Sequence, residues 1–122
     1  MPAPFSIIIP TLNSESELQE TLTSLFEGID KNLIRELIIS DGGSLDKTKI
    51  IANEVGAVFL EGTRGRGMQI KRGIEKSCGD WILVLHADTS LFMGWSEKIF
   101  PKIDKKFAYY FKLKFKSKSF LS

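Results

Sequence analysis

His86, Ala87 and Asp88 close an apolar run, Trp81-Ile82-Leu83-Val84-Leu85. A carboxylate separated from an imidazole by one residue suits the handling of a cation or a phosphate. Three stretches upstream carry matching chemistry: Pro10-Thr11-Leu12-Asn13, Asp41-Gly42-Gly43-Ser44-Leu45-Asp46, and Glu61 to Gly67 with Arg64 and Arg66 among its glycines. Glycine loops and helix N-termini offer backbone N–H groups to phosphate oxygens. Arginine adds two-pronged contacts to the same oxygens. A hard cation such as Mg2+ or Mn2+ takes one or two carboxylates and completes its shell with phosphate and water. Asp88 is placed to hold that cation; His86 is open to three roles, as second ligand, ribose partner or packing. Each piece also has an ordinary explanation, since Asp-Gly-Gly-Ser makes a strand-to-helix turn and Arg-Gly-Arg-Gly a solvated loop. Their joint occurrence favours a site for a nucleoside diphosphate.

The elements that must position these residues follow from periodicity. Phe5 to Ile9 reads as a buried strand stopped by Pro10. Ser14 and Glu17 match a capping box for a helix whose Leu18, Leu22, Leu25 and Phe26 share one face and which Gly28 closes. Glu36 to Ser40 is a second strand. Ser44 or Asp46 caps a helix bearing Ile50, Ile51 and Val55 that ends at Gly56, and Ala57 to Leu60 is a third strand. Met68 to Ser77 forms a helix, and Trp81 to Leu85 reads as a fourth, central strand buried on both faces. Strand and helix alternate through four strands, which predicts right-handed βαβ units, a parallel sheet and a single α/β domain over residues 1–122. In an open sheet of this kind the loops at the carboxyl ends of the strands share one rim. That rim would gather Asp41, Asp46, Arg64, Arg66, His86 and Asp88. Beyond it, Gly94-Trp95-Ser96 opens a short helical piece through Phe100. Residues 107–116 then alternate in the manner of an edge or antiparallel strand.

Composition narrows the class. The chain has 122 residues, 43% hydrophobic and 26% charged, ordinary values for a globular domain. No apolar run approaches the roughly 20 residues that span a bilayer, and Met1-Pro2-Ala3-Pro4 lacks the basic start of a signal peptide. The single cysteine, Cys78, is expected to be a semi-buried apolar residue in a reducing, cytoplasmic setting. Residues 1–97 carry 9 Lys and Arg against 14 Asp and Glu, a net of −5, whereas residues 98–122 carry 8 Lys against one Asp, a net of +7. Lysines commonly guard an exposed strand edge, the reading favoured here. The alternative is peripheral contact with an anionic membrane surface; no nucleic-acid partner is expected.

The motifs together resemble a known family. Ile7-Ile8-Ile9-Pro10-Thr11-Leu12-Asn13 is similar to the opening strand and loop of family-2 glycosyltransferases with the GT-A fold. Asp41-Gly42-Gly43-Ser44-Leu45-Asp46-Lys47-Thr48 resembles their Asp-Gly-(Gly/Ser)-Ser-x-Asp-x-Thr signature. Leu85-His86-Ala87-Asp88-Thr89 resembles their Asp-x-Asp motif with His86 in place of the first aspartate, a form found in a small bacterial subgroup. The resemblance implies a Rossmann-like fold and the transfer of a sugar from a UDP- or GDP-sugar, with Mg2+ or Mn2+ as cofactor. It implies that Pro10, Thr11, Leu12, Asn13, Asp41 and Gly42 hold base and ribose. Arg64 and Arg66 would lie by the diphosphate, with His86 and Ala87 also at the nucleotide and Asp88 on the metal. It further implies a carboxylate base for the acceptor hydroxyl beyond the Asp-x-Asp region. After Asp88 only Glu97 and Asp104 are acidic, and neither matches such a motif, so the chain is expected to be the donor-binding half without its acceptor half. Two other readings stand beside this one. A nucleotidyltransferase of related architecture usually opens with a glycine- and arginine-rich loop where this chain has Pro10 to Asn13. A non-catalytic module would bind nucleotide or membrane, the latter through Lys112 to Lys118.

Overall fold

The computed structural model describes residues 2–99. In chain order its elements are β1 (Phe5–Thr11), α1 (Glu15–Ser24), α2 (Phe26–Asp30), β2 (Ile34–Asp41), α3 (Thr48–Glu54), β3 (Val58–Glu61), α4 (Arg66–Lys76), β4 (Trp81–Val84) and α5 (Trp95–Ile99). The strands pair in parallel in the order β3-β2-β1-β4, with Ile8 opposite Ile38 on one side and Val84 on the other. The expected α/β architecture is therefore present. The chain steps outward from β1 to β3 and then crosses back to β4. This reversal puts a topological switch point, and with it a crevice, between the carboxyl ends of β1 and β4.

Both faces of the sheet are occupied because β1 and β2 are apolar at successive positions. Phe5, Ile7, Ile9, Leu37 and Ile39 meet Leu18, Leu22 and Leu25 of the α1 region, with Leu33, Ala52, Leu85, Leu91 and Trp95 in the same core. Ile8 and Ile38 point the other way and are fully buried, on the side where α4 crosses β1 and β2.

Several local expectations change. Pro10 lies within β1 and does not stop it. Ile8 C=O accepts a hydrogen bond from Leu85 N–H, so by the two-residue repeat Pro10 also faces the β4 side. There β4 has already ended, and the missing proline N–H costs no ladder bond. The capping box does not form: Ser14 makes no side-chain cap, and Asp46 of a distant loop accepts the Glu15 N–H instead. Asp46 also accepts the Thr48 N–H and so serves the start of α3, the role expected of it or of Ser44. Helix α1 breaks at Leu25, which leaves Phe26 exposed instead of on the core face. Gly28 does not end a helix; it is buried in α2, where a Cβ would stand 2.7 Å from the Trp95 ring. Among the described strands β4 is terminal, not central; it is half-buried on the face of Trp81 and Leu83 and exposed on the other. Ile82 and Val84 are 40% and 38% exposed because α4 lies over β1 and β2, not over them. Cys78 is exposed. Ile50 is exposed too, while Ile51 and Val55 pack on the core. Glu97 is a surface residue paired with Lys31 at 2.8 Å. No described helix is long and apolar enough to cross a membrane. The alternating segment 107–116, Asp104 and the basic residues after Lys98 lie outside the described residues.

Candidate functional site

A cleft of about 610 Å3 opens at the switch point, within the size range of small-molecule sites. Its floor and one wall come from the end of β1: Pro10, Thr11 and Leu12, followed by Ser14 and Glu17 at the start of α1. A second wall is the loop before α4, with Arg64, Gly65 and Arg66, backed by Gln69. The third is the turn after β4, with His86, Ala87 and Asp88. Arg64 and Arg66, 22 and 20 residues ahead of the turn in sequence, thus share one cleft with His86 and Asp88. All four are exposed and accessible to a ligand.

Asp41, Gly42 and Asn13 do not line the cleft. Asp41 is 1% exposed, and its carboxylate is taken up by its own turn. It accepts from Thr11 Oγ1 at 2.6 Å, Gly43 N–H at 2.9 Å, Ser44 N–H at 2.7 Å and Ser44 Oγ. Burial alone would favour the neutral acid, but the donors from Ser44, Thr11 and Gly43 outweigh it and hold the carboxyl below its ordinary value. Asn13, in the left-handed region at φ 51°, donates its N–H to Ser44 Oγ and accepts from Leu45 N–H. Gly42 donates its N–H to Thr11 C=O. These three residues brace the loop after β1 against the turn after β2. Asp46, expected on the rim, instead serves the two helix starts; its hydrogen bond from Thr48, with others, lowers its pKa despite some desolvation.

The turn after β4 is held from α1. Thr21, fully buried, donates Oγ1 to Ala87 C=O at 2.6 Å. Ser90 Oγ donates to Glu20 Oε1 at 3.0 Å, and Leu91 N–H donates to Ser24 Oγ at 3.1 Å. His86 C=O accepts from Thr89 N–H, which closes the turn. The main chain of this segment is therefore fixed while His86 and Asp88 project outward. Sequence reasoning did not select Ser14, Glu17, Gly65 and Gln69 for the site. The spacing of Glu17 from Ser14 points to a local cap instead. Gln69 carried one usable signal: it stands four residues before Gly73, and both turn their face of α4 to the sheet.

Among the described residues no three His, Cys, Asp or Glu side chains stand close enough to cage an ion. The donor set in the cleft suits a different kind of cation site. One carboxylate, Asp88, with His86 two residues before it, fits an ion that draws its remaining ligands from phosphate oxygens and water. Arg64 and Arg66, which line the same cleft, fit the same phosphates.

Parallel sheet, switch-point cleft and the loops that line it define a Rossmann-like domain of the GT-A kind. The family model described as glycosyl transferase family 2 matches residues 6–119, and the chain belongs to that family. It is 38% identical over 100 residues to a PGL/p-HBAD biosynthesis glycosyltransferase of Mycobacterium bovis, an alignment that covers 75% of this chain and 38% of that protein. It is 28% identical over 103 residues to glucosyl-3-phosphoglycerate synthase of Mycobacterium tuberculosis, covering 74% of this chain and 32% of that one. The crystal structure of that synthase with Mn2+, UDP and glucosyl-3-phosphoglycerate superposes with a TM-score of 0.64 at 27% identity, over 71% of this chain and 34% of that chain. The chain thus spans about a third of the length of these relatives.

Proposed function

We propose that this chain is the donor-binding part of a glycosyltransferase that takes a UDP- or GDP-sugar together with Mg2+ or Mn2+. The observation that carries this reading is the cleft in which Arg64 and Arg66 share a site with His86 and Asp88. A nucleoside diphosphate brings negative charge that two guanidinium groups on one wall attract. A divalent ion held partly by Asp88 would neutralise the rest, and when bound it would stabilise the departing diphosphate as charge develops on it. Pro10, Thr11 and Leu12 offer a partly apolar floor for base and ribose, with Glu17 at its edge. Asp41, Gly42 and Asn13 act on the donor through the loops they brace. UDP is the first nucleotide to test, because the similar synthase has been crystallised with UDP and either Mn2+ or Mg2+. Among the described residues, none is proposed to bind the acceptor or to remove its proton.

Titration calorimetry with UDP and with GDP, each with and without Mn2+, tests the proposal. The wild-type chain is expected to bind one of them only with Mn2+. Asp88→Ala, with an unchanged melting temperature, is expected to lose that binding. Absence of metal-dependent binding by the wild type, or undiminished binding by Asp88→Ala, overturns the reading.

A further inference from the structure

We propose that Gln69 is the positioning residue of the donor site, the side chain that sets the Arg64-Gly65-Arg66 loop against the ends of β1 and β2; this inference rests on the donor-site reading above. Gln69 is 5% exposed. Its Nε2 donates to Thr11 C=O at 2.9 Å and to Ser40 C=O at 2.8 Å. Its Oε1 accepts from Gly65 N–H at 3.0 Å. Both amide protons and the carbonyl oxygen are thereby used. The flipped amide would turn its oxygen on two carbonyls and its NH2 on an N–H, so only this orientation satisfies all three partners.

The surrounding glycines are shaped to this amide. A Cβ on Gly42 would stand 2.8 Å from Gln69 Oε1 and 3.2 Å from Arg64 Cα. Gly65 adopts φ +146°, a conformation that disfavours side chains, and it is the residue whose N–H reaches back to Gln69. The second residue of the Asp-Gly turn and the middle residue of the Arg-Gly-Arg loop are thus both held to glycine around one glutamine. Arg72, one turn further along α4, adds a second tether by donating Nη2 to Thr63 C=O at 3.1 Å. Thr11 also lines the cleft. A single buried amide therefore couples the floor under the nucleotide to the two arginines beside its phosphates. Arg64 and Arg66 sit on either side of the tethered Gly65, and a released Gly65 lets both guanidinium groups move off the rim.

Two measurements on the full chain test this. In the first, UDP affinity with Mn2+ is measured for Gln69→Ala in the wild-type background and in an Arg64→Ala, Arg66→Ala background. We expect a loss of about tenfold in the former and about twofold or less in the latter, the non-additivity of residues that act as one unit. A merely structural role would lower the melting temperature and leave the affinity of the folded protein, or its additivity, unchanged; that result overturns the inference. In the second, amide hydrogen exchange is followed at Gly65 and at Ile8 and Ile38. Gln69→Ala is expected to accelerate exchange at Gly65 while the strand amides keep their protection. Equal acceleration at all three, or none at Gly65, overturns the inference. If wild type binds no nucleotide, the donor-site reading fails, and the exchange measurement still decides whether Gln69 sets the loop. Should Gln69→Ala fail to fold, Gln69→Leu replaces it in both experiments. Leucine keeps much of the bulk on the sheet-facing side of α4 but has neither an acceptor for Gly65 N–H nor a donor for the Thr11 and Ser40 carbonyls.

Discussion

Replacing Asp41 separates two ways in which a carboxylate can serve such a site. The side chain accepts four hydrogen bonds, two from backbone N–H groups and two from hydroxyls. In Asp41→Asn the amide oxygen can keep Gly43 N–H and Ser44 N–H, while the new NH2 meets two hydroxyl oxygens that can turn and accept. The loss is then the charge assistance, about 1–2 kcal/mol. Asp41→Ala leaves the two N–H groups of the turn and both hydroxyls without an acceptor; with roughly 1–3 kcal/mol for each buried orphan and partial relief by water, about 3–4 kcal/mol is expected. Urea denaturation at pH 7 reads both. The pH dependence supplies an independent check. The folded carboxyl ionises at lower pH than in the unfolded chain, whose ordinary value is about 3.9. Its contribution is complete above that ordinary value and is lost as pH falls through the depressed folded one. The stability difference between wild type and Asp41→Asn should therefore be constant from pH 7 to about 5 and shrink below about 4. Asparagine costing as much as alanine, alanine costing under about 1 kcal/mol, or a difference that grows on acidification would refute the brace.

Two further substitutions probe the frame around the site. Thr21→Val keeps the side-chain shape but leaves Ala87 C=O, which Thr21 meets at 2.6 Å, without its partner; about 1–2 kcal/mol of stability should be lost in urea denaturation. Gly28→Ala drives a methyl into the ring of Trp95, 2.7 Å away, and should destabilise by about 2 kcal/mol. The same change should blue- or red-shift the emission of the buried indole, and an unaltered spectrum with unaltered stability would remove the close contact.

Much of the fold is legible because apolar runs and turn glycines alternate at βαβ spacing. Arg64, Arg66, His86 and Asp88 were identifiable as one group because strand ends in an open sheet define a single rim, and all four line the cleft. What residue type cannot show is where a side chain's hydrogen bonds are already used. Asp41 has the chemistry of a ligand, yet its own turn consumes both oxygens. The capping box at Ser14 and Glu17 is a valid local pattern that lost to tertiary contacts: Thr48 Oγ1 accepts the Ser14 N–H that the box gives to Glu17, and Asp46 accepts the Glu15 N–H. The run Trp81 to Leu85 shows no alternation in polarity, so sequence cannot distinguish a strand covered on both faces from a terminal one. Gln69 escaped selection because glutamine on a helix usually faces solvent, and only the placement of α4 over the strand ends turns it inward. The helix starts, the Asp-Gly turn and the arginine loop are thus tied together by contacts of long sequence separation, which no window of sequence contains.

On the proposed reading, a nucleoside diphosphate and a divalent cation meet at this rim. Paramagnetic relaxation by Mn2+ tests it most directly: the isotope-labelled chain is titrated with Mn2+ in the presence of UDP, and in a parallel series of GDP, and the loss of amide signals is mapped by residue. Broadening is expected to centre on His86 to Asp88 and to extend to Thr11, Leu12 and Arg64 to Arg66, to depend on nucleotide, and to be abolished by Asp88→Ala. Broadening centred elsewhere, or none when nucleotide and Mn2+ are both present, would contradict that reading.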